Sequence, residues 1–303
     1  MWTRGIISAI LFLVIAGGCA RKPDKMVVVV TTIPVLSDWV EQIGGERVAV
    51  FSLLKGQEEP HSYEPKPQDG ARIARAKLVV RVGLGLDEWL NGLIVSAGGT
   101  GVKILTLADG VDLIRDSGDE HGVHEQGNPH IWLDPAVAKA GVRRIAAALI
   151  EIDPAGRGYY QQRAERYIRQ LDSASTELKG AVQELNNRRF VAMHNSWPYF
   201  CRAFGFELVA AVEPVPGQEP SARTLAGLIK RMREDSVRVI VIEPQHNPEV
   251  ANMLARETGA QVITLCQFNR VLAGTDSYLQ LLDYDVRTLI NALKRAGAGQ
   301  KAE

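Results

Sequence analysis

The amino-acid sequence predicts an α/β protein: two lobes, each a parallel sheet flanked by helices, joined by one long backbone helix. Three observations carry that expectation. Short β-branched runs alternate with helical stretches, as right-handed βαβ units require. The alternation occurs twice, over residues 26–152 and again over 188–298. Between them, residues 153–187 carry an apolar stripe at three- and four-residue steps through Tyr160, Ala164, Tyr167, Leu171, Ala174, Leu178, Val182 and Leu185. At about 1.5 Å per residue, such a helix crosses a whole lobe.

In the first lobe MVVVVTTIPVL reads as a buried parallel strand, nearly continuous in β-branched residues. SDWVEQIGG is a helix closed by glycine and RVAVFSLL the second strand. KGQEEPHSYEPKP follows, and its prolines forbid regular structure. DGARIARA is helical, KLVVRVGLGL a strand, DEWLNGLIVSAG helical and VKILTLADG the fourth strand. Residues 115–128 have almost no apolar content and are expected to form a solvated loop. NPHIWLDP then leads into the helix AVAKAGVRRIAAALIEI, with Asp134 at its cap and Pro135 in its first turn. In the second lobe RRFVAM, ELVAAVEP, VRVIVIEP and QVITLC are strands. NSWPYFCRAFG, SARTLAGLIKRMRED with Ser221 as cap, PEVANMLARETG and DSYLQLLDYDVRTLINALKRA are helices.

A chain of 303 residues has room for two compact lobes, each with its own core. Its 46% hydrophobic and 23% charged content are those of a soluble globular protein. With 35 basic and 35 acidic residues and no basic run, it lacks the electrostatic footprint of a nucleic-acid partner. Residues 1–19 differ. Arg4, an apolar stretch from Gly5 to Ala16 and then Gly17-Gly18 read as an export signal, too short for a spanning helix. Cys19 directly after small residues resembles a bacterial lipoprotein cleavage site, which would make it the lipid-carrying first residue and anchor the protein to a membrane. Ala16 stands where that motif usually has leucine, and a plain secretory signal or a retained anchor are the alternatives. Cys201 and Cys266 could pair in an exported protein or stay as two buried thiols.

Four residues stand out chemically. In open α/β sheets, ligands sit beyond the carboxyl ends of strands. His61 follows the second strand, His130 the loop after the fourth, His194 the strand RRFVAM, and Asp276 the last strand. If both lobes turn those ends inward, three imidazoles and a carboxylate converge in the cleft, the donor set of a closed tetrahedral zinc site. Each has a bland alternative: a lone loop histidine is usually a surface residue, and Asp276 reads equally as a helix cap. Glu213 shares the strand-end address and is the rival fourth donor, and Glu59 is a weaker one. His246 also follows a strand, but Asn247-Pro248 reads as ordinary helix-start chemistry. His121 and His124 in the acidic loop could gather metal loosely. GLGLDE at 83–88 lacks the third glycine of a dinucleotide fingerprint, and no P-loop, G-x-S-x-G or H-E-x-x-H occurs.

PHSYEPKP, NPHIWLDP, the His194 segment ending in YFCRAFG, PGQEPSARTLAGL at 216–228 and GTDSYLQLL together resemble the ZnuA-type zinc and manganese substrate-binding lipoproteins of ABC importers. The resemblance covers nearly the whole mature chain. It implies two (β/α)4 lobes with parallel sheets, a rigid linking helix and a metal site in the interlobe cleft. It places the ligands on His61, His130, His194 and Asp276. It implies an exported, periplasmic or cell-surface monomer that takes Zn2+, with Mn2+ as the other candidate, and hands it to a membrane permease without chemistry. Manganese members carry a non-histidine residue where His194 stands and a glutamate aligned with Glu213, and imidazole suits zinc better than manganese. Two readings of other classes stand beside this one. One is a zinc hydrolase with Glu59 as its base, the other a surface adhesin that uses metal structurally.

Overall fold

The computed structural model describes residues 26–98, 101–115, 126–213 and 220–299. Cys19 and the export segment, His121, His124 and residues 216–219 lie outside the described residues. The first lobe opens with strand β1 (Val27–Thr31), helix α1 (Pro34–Gly44) and strand β2 (Val48–Ser52). Helix α2 (Pro67–Ile73), strand β3 (Leu78–Arg81), helix α3 (Trp89–Ser96) and strand β4 (Lys103–Thr106) follow. Helices α4 (Pro135–Ile152) and α5 (Arg157–Gln183) lead to the second lobe. There β5 (Arg189–His194), β6 (Glu207–Glu213), β7 (Val239–Ile242) and β8 (Gln261–Thr264) alternate with α6 (Pro198–Phe204), α7 (Ala222–Glu234), α8 (Glu249–Thr258) and α9 (Tyr278–Gly299).

Both sheets are parallel and repeat one topology, β2-β1-β3-β4 and β6-β5-β7-β8. In each, strand order reverses beside the first strand, which opens a crevice at the carboxyl ends. Two boundaries differ from the sequence reading. The expected first strand stops at Thr31, because Pro34 opens α1. Proline has no N–H to give a strand but suits a first helical turn. The last helix begins at Tyr278 rather than Asp276. Ser277 caps it instead: Ser277 Oγ accepts from the Gln280 N–H at 3.3 Å, and Gln280 Oε1 accepts from the Ser277 N–H at 3.0 Å. This reciprocal pair is a capping box, so the cap does not use the Asp276 carboxylate.

The core also departs from expectation. The lobes do not each enclose a separate interior. One apolar cluster runs from Val29 and Trp39 through Tyr167 and Leu171 to Phe200, Phe268 and Leu293, with two smaller clusters on the outer sheet faces. The α5 stripe explains it. Tyr160, Ala164, Tyr167, Leu171, Leu178 and Val182 are buried, and α5 packs against α1, α4 and α9. Its polar groups tie in as well. Tyr167 Oη donates to Asp38 Oδ2 at 3.0 Å, and Arg163 Nε donates to the Gln42 carbonyl at 2.8 Å. Cys201 and Cys266 are both free thiols, and burial pushes the Cys266 thiol up to about 12.

Two outcomes follow from this packing. Leu171 is fully buried in the shared core, so Leu171→Ala should cost about 2–5 kcal/mol. Both lobes should still melt in one transition, checked by circular dichroism and tryptophan fluorescence together. The second concerns Asp285 on α9, fully buried, with Oδ1 accepting from the Cys266 N–H at 2.9 Å. Burial holds its carboxyl well above the ordinary carboxylate range, and the charge of Glu243 adds to this. The folded protein therefore keeps a proton that the unfolded chain releases near pH 3.9, and stability falls as pH rises above that value. In urea melts, the advantage of wild type over Asp285→Asn should shrink from pH 5 to 7 by at most about 1.4 kcal/mol per pH unit. A pH-independent difference would refute it.

Candidate metal centre

His61 and His130 sit at short 3-10 turns, and His194 ends a strand. His61 lies in a single 3-10 turn, Pro60–Ser62, where Glu59 Oε1 accepts the His61 N–H at 3.2 Å. Trp89 Nε1 donates to the Pro60 carbonyl at 3.0 Å and fixes that turn to α3. Burial raises the Glu59 carboxyl above its usual range, against the His61 N–H and the His246 charge.

His130 opens the turn Ile131–Leu133 ahead of α4 and is buried, 1% exposed. Its orientation is set by Asn128, which is fully buried. Asn128 Oδ1 accepts the His130 backbone N–H at 3.0 Å, and Asn128 Nδ2 donates to the Asn195 carbonyl at 2.8 Å. Those two bonds settle which amide atom is oxygen. The His130 Nδ1 that faces the same oxygen at 3.0 Å must then carry a proton. Nε2 is left as the basic nitrogen. Asn128 also links this turn to Asn195, next to His194 in the other lobe.

His194 is the last residue of β5, 2% exposed, in register with Glu213 at the end of β6. The three rings come together. Centroids lie 5.7 Å apart for His61 and His130, 6.0 Å for His61 and His194, and 5.1 Å for His130 and His194. One nitrogen from each lies within 4.8 Å of the others. Two donors about 2.0–2.1 Å from a tetrahedral zinc lie about 3.3 Å apart, so a small inward shift brings the three into bonding range. Neutral imidazoles and carboxylates are donors that suit zinc, so the residues present fit that ion.

Asp276 does not join this group. It is exposed, and its backbone carbonyl accepts from Asn269 Nδ2 at 3.4 Å and Arg270 Nε at 3.3 Å. Glu213 is half-buried beside His194. Two further residues stand beside the site: Glu243, which the sequence reading missed, and His246, which it set aside as helix-start chemistry. Glu243, immediately after β7, is a buried carboxylate at 1% exposure whose Oε1 accepts from Ser196 Oγ at 3.0 Å and Trp197 Nε1 at 2.7 Å. Its Oε2 faces His246 Nδ1 at 3.2 Å. Burial works to raise the Glu243 carboxyl, but His246, His194 and the Trp197 N–H outweigh it and hold it below the usual value. The His246 ring lies 5.9 Å from that of His194, nearly parallel at 27°. Its strand-end address was the available signal. Asn247 Oδ1 does accept the Glu249 N–H at 3.0 Å, as helix-start chemistry requires, yet that leaves the neighbouring imidazole to the site.

The family model of the zinc-uptake complex component A, periplasmic (ZnuA), matches residues 29–292. The chain belongs to the ZnuA family. The high-affinity zinc uptake system protein ZnuA of Bacillus subtilis is 30% identical over 280 residues, 87% of this chain and 88% of that protein. The manganese-binding lipoprotein MntA of Halalkalibacterium halodurans is 26% identical over 293 residues, 93% and 95% of the two chains. A crystal structure of ZnuA superposes with a TM-score of 0.79 at 30% identity, over 89% of this chain and 100% of that one.

The role of Asn128 at this candidate site is testable without metal. In 15N-histidine NMR spectra at neutral-imidazole pH, His130 should show the single Nδ1–H tautomer. Asn128→Ala should give a tautomer mixture, and an unchanged spectrum would remove Asn128 from its orienting role.

Proposed function

We propose that this chain captures a divalent transition metal outside the cytoplasm, zinc foremost and manganese as the other candidate, and delivers it to an ABC permease. The carrying observation is the approach of one nitrogen each from His61, His130 and His194 to within 4.8 Å, from both lobes and at buried or half-buried positions. The ZnuA family is one of metal-binding transport components rather than enzymes. In this reading the metal is cargo, held in a full coordination set with no open position for catalysis. Three imidazoles favour zinc, since carboxylate and water suit manganese. Asp276 is the fourth donor, its side chain turning inward as the metal arrives, and Glu213 is its rival.

The functional units in this reading are the lobes 26–152 and 188–298 with the linking segment 153–187. An export signal over 1–19 and a lipid on Cys19 would hold the monomer at the membrane beside its permease. Among the described residues no helix is long and apolar enough to cross a membrane.

Elemental analysis of purified protein tests the assignment. Wild type should carry close to one zinc per chain, and His61→Ala, His130→Ala and His194→Ala should each lose most of it. Zinc at about a thousand times its dissociation constant should stabilise wild type by about 4 kcal/mol, seen as a higher melting temperature. Binding should weaken as pH falls through the histidine range, because the donors must be deprotonated. Equal zinc in wild type and all three variants would overturn the assignment.

A further inference from the structure

Beside the three imidazoles stands a fourth that no part of the proposed donor set uses. His246 lies 5.9 Å from His194, ring centre to ring centre. It is not inside the centre, since the group of mutually close nitrogens among the described residues stops at three. It is nearer to solvent: its side chain is 15% exposed, whereas His194 is 2% exposed. It is thus the more solvent-accessible neighbour of His194.

The way His246 is held distinguishes it from a packing residue. Both N–H and O–H donors to Glu243, Trp197 Nε1 and Ser196 Oγ, go to Oε1. Oε2 is turned to His246 Nδ1 at 3.2 Å. The contact is an ion-pair approach whose geometry falls short of a hydrogen bond. A buried carboxylate on that side favours the proton on Nδ1 and leaves Nε2 basic, as carboxylates do for metal-binding histidines. Asn128 fixes the same proton on His130 by a hydrogen bond. The surroundings are also acidic. Glu59 and Glu213 act with Glu243 on the His246 ring, so its neighbourhood attracts a dication.

Resting on the metal-capture reading, we propose that His246, oriented by Glu243, is a transit donor that takes the arriving divalent metal before His194 and its two partners do. A hydrated dication sheds its waters stepwise, and a donor at the mouth replaces one before the buried nitrogens replace the rest. A donor met only in passage changes the rates of arrival and departure equally. It leaves the equilibrium affinity in place.

The test is stopped-flow zinc binding, with dissociation followed by transfer to a chromophoric chelator. The variants are His246→Phe, which keeps the ring volume, His246→Gln and Glu243→Gln. Metal-free melting temperatures identify which variants are folded. His246→Phe, or His246→Gln if the first does not fold, should slow association and dissociation alike, by roughly tenfold. Its dissociation constant should stay within about threefold and its cobalt(II) absorption spectrum should match wild type. Glu243→Gln should slow association, while its dissociation constant rises because the buried negative charge is lost as well. Wild-type rates in a folded His246 variant would overturn the transit role. So would an affinity loss beyond tenfold with an altered cobalt spectrum, which would make His246 an equilibrium ligand. Wild-type rates in Glu243→Gln alone would overturn the orienting part. His61→Ala, His130→Ala and His194→Ala, measured in parallel, separate the two levels: if all three keep full zinc occupancy, the capture reading itself fails whatever His246 does.

Discussion

The position of the metal centre depends on how Trp132 is gripped by the opposite lobe. Two residues after His130, this fully buried indole donates from Nε1 to the Gln267 carbonyl at 2.8 Å. Its own backbone carbonyl accepts from Tyr278 Oη at 2.6 Å, and its ring stacks on Phe268 with centroids 5.6 Å apart. All three partners lie between β8 and the first turn of α9. Each buried hydrogen bond left unmade costs about 1–3 kcal/mol, so the lobes cannot part at this seam without losing several such contributions. The placement of His130 relative to His194 is thus decided by packing behind the imidazoles rather than by the imidazoles themselves.

The same seam continues as a polar chain. Gln267 Nε2 donates to Ser196 Oγ at 3.0 Å, and Ser196 Oγ donates to Glu243 Oε1. On the other side Tyr278 N–H donates to Asp38 Oδ2 at 3.2 Å, the same oxygen that accepts from Tyr167 of α5. Arg270 pairs with Glu41 across the surface edge of the seam. Together with the single apolar cluster, these contacts make wide hinge opening expensive. In the proposed reading, metal exchange would then fall to single side chains such as Asp276 and His246, which can turn without breaking the shared core.

Much of this was legible in the sequence, because it is local. Strand-helix alternation, the α5 stripe and the punctuation of NPHIWLDP are short-range patterns, and the strand-end rule then gave His61, His130 and His194 one address. The Asp276 cap reading failed for an equally local reason: Ser277 with Gln280 three residues on is the better capping pair. What could not be read were contacts between residues far apart in the chain. Nothing in QFN marks Gln267 as the acceptor for Trp132, and nothing in VIEP shows Glu243 buried beneath His246. The single shared core was hidden for the same cause, since a helix stripe reveals which face is apolar and not what covers it.

The carboxylates around the centre answer a problem that the imidazoles create. Three neutral nitrogens can coordinate a dication but cannot offset its charge, and a buried uncompensated charge is costly. In the proposed site that compensation comes from outside the imidazole trio. Glu243, below its usual carboxylate range and electrostatically coupled to His194, supplies one negative charge in the buried layer. Asp276 would supply a second by direct ligation, with Glu59 and Glu213 nearby as a diffuse reserve. Dividing the work this way keeps imidazole nitrogens in contact with the metal while the harder carboxylates act mainly at a distance. Such a division favours zinc over manganese, because manganese gains most from carboxylate contact that this arrangement largely withholds.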